Sequence, residues 1–348
     1  MAHVAAEQKL EHALTAKNDA DNLVELIPSL PVEKRLVIPS PDLQRRQYRG
    51  YWFPEWHLSA LAAARDHFEP MPTDIFLVSC PKSGTTWLKS LAFATVHRDV
   101  HPPSSREHPL LHKNPHGCVR FIHAIYRHPV DVARGILEAY PSPRIFGTHF
   151  PLSLLPERIN GDGCGCRIVY ICRDPKDVVV SWWWFMRTYL PNPEQVRFEE
   201  VFDLFCEGRT GAGPYWRHAL EHWDESRRRP GKVLFLRYEE MLLDPQCNLR
   251  RLAEFLGCAF SEAEEKAGVL DAILELCSLD KLKKLQVNQS GNKIKDGDEP
   301  MMNHSFFRKG ESGDWINHMT AEMAARLDAI VEHALQGTGF RFGIATPQ

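Results

Sequence analysis

The sequence predicts an α/β fold: a central parallel sheet flanked by helices, with a P-loop-like strand-loop-helix that binds phosphate. Three observations lead there. Short apolar runs rich in β-branched residues (Ile75 to Val78, Arg144 to Phe150, Arg167 to Cys172, Lys232 to Leu236) alternate with segments whose apolar residues recur at helical spacing. The stretch Asp74 to Trp87 reads D-I-F-L-V-S-C-P-K-S-G-T-T-W, an apolar run, a polar turn and a helix start. Residues able to do chemistry follow directly on the apolar runs, at the carboxyl ends of the expected strands, where open α/β sheets hold their ligands.

The 348 residues suit one large α/β unit from residue 50 to 348, preceded by a polar N-terminal arm over residues 1–49 with a short amphipathic piece from Val4 to Leu14. A net charge of −3 gives no reason to expect nucleic acid or an anionic membrane as partner. The nine cysteines are odd in number and irregularly spaced, which suits a reducing compartment, and Cys164 and Cys166 lack the second pair that a zinc site needs. No signal-peptide core and no apolar run near 18 residues is visible, so the expected location is the cytoplasm.

Along the chain, Tyr51 to Phe53 and Trp56 either line a pocket or cap the core, ahead of a helix from Leu58 to His67. At the polar turn Pro81 ends the strand, Gly84 permits a tight path, and the first turn of the next helix offers unpaired N–H groups. Lys82, Ser83, Thr85 and Thr86 add a cation and hydroxyls, so the turn is a trap for an anion. Asp99 to Cys118 carries histidines at i, i+4 spacing, but Pro102, Pro103, Pro109 and Pro115 break the helix a metal site would need, leaving a surface or pocket-lining loop. His149 ends the second strand. Asp174 as N-cap and Pro175 at the first helical position start a helix that brings Ser181 near Arg173. Trp182 to Phe185 add bulk. Helices are expected over Phe198 to Glu207, Tyr215 to Arg227 and twice or more within Asp244 to Ser278, then a charged lid from Lys281 to Glu299. Arg308 and Lys309 before Gly310 form a candidate phosphate clamp, and Thr320 caps a last helix to Leu335.

The turn is not G-x-x-x-x-G-K-[ST], since its Lys precedes its Gly. P-K-S-G-T-T-W resembles instead the soluble (cytosolic) sulfotransferases that use 3′-phosphoadenosine 5′-phosphosulfate (PAPS), plant-type branch, and further motifs of that family follow in order between Tyr51 and Phe342. The resemblance implies transfer of a sulfuryl group from PAPS, as co-substrate, to a hydroxyl of a small organic acceptor, without a metal. It implies that His149, in T-H-F-P, is the general base and that Lys82 stabilises the leaving phosphate, together with Ser83, Gly84, Thr85 and Thr86. Trp87 would pack on the adenine and Tyr238 would touch it, with Cys277-Ser278-Leu279 at the adenosine. Arg173, Ser181, Arg308, Lys309 and Gly310 would hold the 3′-phosphate. Animal members often carry Lys directly before the T-H; this chain has Gly147. The pairing motif K-x-x-x-T-V-x-x-x-E of animal members is matched here by Ile316, Thr320, Ala321 and Ala325, so a monomer is expected. A catalytically silent PAPS-binding protein and a P-loop nucleotide kinase stand beside this reading.

Overall fold

The structure, a computed structural model, describes residues 23–34, 44–188, 193–290 and 302–344. The Val4 to Leu14 segment and residues 291–299 of the expected lid lie outside these; residues 281–290 within the lid are mostly helical. Strands β1 (Arg45–Tyr48) and β2 (Tyr51–Pro54) form an antiparallel hairpin. β3 (Ile75–Val78), β4 (Ile145–Thr148), β5 (Arg167–Cys172) and β6 (Val233–Arg237) form a parallel sheet in the order β4-β3-β5-β6.

Both faces of this sheet are covered, which is why its strands read as continuous apolar runs. Phe76, Val78, Phe146, Ile168, Tyr170 and Phe235 pack on one side against α1 (Glu55–His67), α3 (Pro175–Arg187), α4 (Tyr215–Arg228) and α7 (Ala321–Leu335). Ile75, Leu77, Ile145, Val169, Ile171 and Leu236 pack on the other against α2 (Thr85–Val96), α5 (Pro245–Phe255) and α6 (Val269–Leu276). At the amino ends, Arg144 donates twice to the buried Asp74, at 2.8 and 2.5 Å, joining the foot of β3 to that of β4. Removing Arg144 would strand a buried carboxylate, at a cost of about 3–5 kcal/mol.

One expectation needs correction. The part of the arm from residue 23 belongs to the body: Leu23 and Ile27 are buried in the core, Val32 bridges Arg46, and β1 lies within it. The boundary expected at residue 50 falls inside the hairpin turn, where Arg49 (φ 50°) and Gly50 (φ 82°) are left-handed. Leu23, Val24, Leu26 and Ile27 form a short apolar run that Pro28 and Pro31 interrupt before it can show a period, so the pattern alone hid this packing.

Candidate functional site

The four loops at the carboxyl ends of β3 to β6 meet in one cleft, and the order of the strands reverses around β3, the point at which such sheets form a crevice. The β3–α2 turn is held by two left-handed residues, Lys82 (φ 70°) and Gly84 (φ 108°). A Cβ on Gly84 would lie 2.8 Å from a Tyr238 ring carbon and 3.0 Å from Ile171, so this position excludes any side chain. Gly84 is the N-cap of α2 and no side chain caps the helix, which leaves the amides of its first turn for a ligand. Thr85 turns its hydroxyl inward to Ser79, at 2.6 Å, while Thr86 lines the cleft. Ser83 is buried beneath the turn and is the one predicted residue whose side chain does not line the cavity.

Lys82 lies with its ammonium 4.0 Å from the centre of the Phe185 ring. Burial by the cleft walls, then the charges of Arg173 and Arg308, push its pKa down to about 7. Lys82, Arg173, Arg308 and Lys309 all line the same cavity, so the site is built for a polyanion.

His149 follows β4 directly. Its Nδ1 lies 2.7 Å from the carbonyl oxygen of Ser79, and a carbonyl only accepts, so Nδ1 carries the proton and Nε2 keeps its lone pair. The backbone oxygen of His149 accepts from Nε2 of His218 at 3.1 Å, and the hydroxyl of Tyr170 donates to Nδ1 of His218 at 3.0 Å. The ring lies 4.6 Å from that of Phe121. Burial pushes the His149 pKa down to about 3, against the pull of its Ser79 bond, and Lys89, His218 and Lys82 add to the lowering.

Asp174 caps α3 as expected, accepting from the Lys176 amide at 2.8 Å. Arg173, at the end of β5, donates to the Glu311 carbonyl at 2.6 Å and stacks 4.7 Å over Tyr238. Its Nε is buried without a hydrogen-bond partner. Tyr238 donates to the Gly310 carbonyl at 2.9 Å and meets Trp87 edge-on at 5.5 Å. Arg308 and Lys309 both pair with the buried Asp314, which also accepts from Asn317 and His318. Burial opposes ionisation of Asp314, but the hydrogen bonds from Lys309, Arg308 and Asn317 hold its carboxyl well below the usual range. Asp177 accepts from the amides of Gly313 and Trp315, at 2.7 and 3.1 Å, fastening the loop to α3. Gly310 is left-handed (φ 71°), and a Cβ there would meet Leu279 at 2.5 Å. Ser181 lines the cavity one wall away.

The cavity holds about 660 Å3. Aromatic side chains form much of its wall, among them Phe53, Trp56, Trp182, Trp184 and Phe185. Tyr51 and Trp183 pack in or against the core, so the two readings of the aromatic stretches divide between residues. His57, His116 and His123 also line this cavity, and of these sequence reasoning missed His57 and His123. Burial pushes His57 down to about 3 and His116 and His123 well below 6.5, so all three are neutral. The loop from Asp99 to Cys118, expected as a surface or pocket-lining loop, delivers His116. Among the described residues no group of three or more His, Cys, Asp or Glu is arranged to hold a metal ion.

Comparison with known proteins shows the family and the fold. Residues 72–339 match the model of the sulfotransferase domain. The chain is 41% identical to cytosolic sulfotransferase 13 of Arabidopsis thaliana, covering 97% of this chain and 98% of that one. It is also 41% identical to cytosolic sulfotransferase 5 of the same plant, covering 91% and 95%. A solved Arabidopsis thaliana structure whose name marks it as a candidate steroid sulphotransferase superposes with a TM-score of 0.70 at 34% identity, over 92% of this chain and 94% of the other. The mouse sulfotransferase SULT7A1 complexed with PAP superposes with a TM-score of 0.63 at 26% identity, over 84% and 95%.

Proposed function

The chain belongs to the sulfotransferase domain family, with plant cytosolic sulfotransferases among its relatives, and on that premise we propose that it moves the sulfuryl group of PAPS to a hydroxyl of a small organic acceptor. The 5′-phosphosulfate lies in the β3–α2 turn, against the free amides of α2 and the ammonium of Lys82. The acceptor lies against the aromatic wall. Its hydroxyl oxygen attacks sulfur as the bond from sulfur to the 5′-phosphate oxygen breaks, and its proton passes to Nε2 of His149. The electrons of the broken bond leave on the phosphate, where Lys82 and the start of α2 meet the growing charge. Arg173, Ser181, Arg308, Lys309 and Gly310 grip the 3′-phosphate, and Trp87 and Tyr238 hold the adenine. The product is adenosine 3′,5′-bisphosphate.

The observation that carries this reading is the 2.7 Å bond from His149 to Ser79. Ser79 leads directly into the phosphate turn, so the base and the donor site share one rigid point, and the bond selects the tautomer whose Nε2 can accept a proton. The PAP-bound mouse relative supports the donor assignment, and the relatives' names support a cytosolic protein. Among the described residues no helix is long and apolar enough to cross a membrane. The test is transfer of labelled sulfur from PAPS to a panel of phenols, flavonoids and steroid alcohols, with and without EDTA. Transfer insensitive to EDTA is expected; binding of PAPS with no transfer to any acceptor would leave a silent binding protein.

A further inference from the structure

Lys89 lies on α2 one turn beyond Thr86 and is completely buried. Its Nζ stands 3.2 Å from the centre of the Phe121 ring and 3.2 Å from Nδ1 of His116. Nε2 of His116 lies 2.9 Å from the Thr86 hydroxyl. The His116 ring is fixed from several sides. The Asn114 side chain accepts from the His116 amide at 2.9 Å and donates to Asn288 at 2.9 Å, while Phe306 and Phe121 pack on the ring at 4.2 and 5.4 Å. Gly147 makes room for the lysine, because a Cβ there would lie 2.8 Å from Nζ.

The polarity of this chain of bonds follows from its first member. An ammonium only donates, so Nδ1 of His116 accepts. His116 is neutral, since burial first, and then the charge of Lys89, opposes a second proton. Its single proton is then on Nε2 and is donated to Thr86. The Thr86 hydroxyl, with one acceptor site filled by His116, has its own proton left for something in the cleft. The Thr85 hydroxyl is instead turned inward to Ser79, at 2.6 Å.

We propose that Lys89 is a positioning residue: acting through His116, it fixes the direction of the Thr86 hydroxyl so that its proton is offered to the 5′-phosphate end of the donor. This rests on the PAPS reading above. Without the ammonium, His116 can carry its proton on Nδ1 instead, and Thr86 then spends its proton on Nε2 and offers the ligand only lone pairs.

The experiment is calorimetric binding of PAP to wild type, Lys89→Met, Thr86→Val and the double variant. At pH 8 each single variant should bind PAP about tenfold or more weakly, as for a lost hydrogen bond to a charged group, and the double variant no more weakly than Thr86→Val. Additive losses would overturn the relay, and so would His116 protonated on Nδ1 in the wild type. Failure of the wild type to bind PAP would instead overturn the donor reading, and the relay with it. If Lys89→Met does not fold, long-range proton–nitrogen NMR of histidine-labelled wild type decides: His116 protonated on Nε2 supports the relay, and protonation on Nδ1 excludes it.

Discussion

Nδ1 of His149 donates to the carbonyl oxygen of Ser79 across 2.7 Å, so the proposed base hangs from the strand that leads into the phosphate turn. Burial lowers its pKa from about 6.5 to about 3. The sign favours the neutral form: His149 is an unprotonated acceptor throughout the range above about pH 4. An NMR titration of the ligand-free protein should show no protonation of His149 between pH 8 and 5. A transition centred near 6.5 would mean that the cleft does not hold the ring neutral.

Lys82 is lowered to about 7 in the ligand-free cleft, so at pH 8 most of its molecules are uncharged. A bound phosphate favours the ammonium, and binding must then draw in a proton. Calorimetry of PAP binding at pH 8 in buffers of different ionisation enthalpy should show uptake of nearly one proton, absent at pH 5.5 and absent in Lys82→Met. Lys82→Ala should keep less than a tenth of the wild-type kcat, as a lost charge-assisted contact of about 1.5–3 kcal/mol requires.

Arg173 reaches the proposed 3′-phosphate site already bonded to Glu311 and stacked on Tyr238, with Nε left over. Arg308 is held by Asp314. Arg173→Ala and Arg308→Ala should each weaken PAPS by about 2 kcal/mol and weaken adenosine 5′-phosphosulfate, which lacks the 3′-phosphate, much less. Equal losses for the two ligands would place these residues elsewhere on the nucleotide.

The β3–α2 turn, the capped α3 and the glycine-flanked Arg308–Lys309 loop were legible because their signals are local. A left-handed glycine, an N-cap followed by proline, or two adjacent cations beside a glycine each declare themselves within a few residues. Ser83 shows the limit of such reading, since a hydroxyl in the motif can face inward and only the backbone path decides which one does. Lys89 shows another. In T-T-W-L-K-S-L it reads as the solvated face of a helix, but α2 lies beneath a loop delivered from residues 114–121, so that face is covered. His57 and His123 were invisible for a similar reason: the packing of α1 on the short helix Ile122–Ile125 joins them, and their rings approach to 4.3 Å across 66 positions of sequence.

Assembly offers a separate test. Ile316 is 67% exposed, Thr320 is occupied as the N-cap of α7, and Ala321 and Ala325 are exposed. Neither charge of a reciprocal ion pair is present at these positions, so a small symmetric contact would have little to hold it. Sedimentation at micromolar concentration should give a monomer. A stable dimer disrupted by Ile316→Glu or Thr320→Glu would contradict this.

Single-turnover transfer of labelled sulfur from enzyme-bound PAPS, compared between wild type and His149→Ala with PAP affinity measured alongside, probes the central claim most directly. The account predicts a transfer rate lower by about 10²-fold or more, as a lost acid-base group requires, with PAP affinity nearly unchanged. Transfer at near wild-type rate in His149→Ala would contradict it.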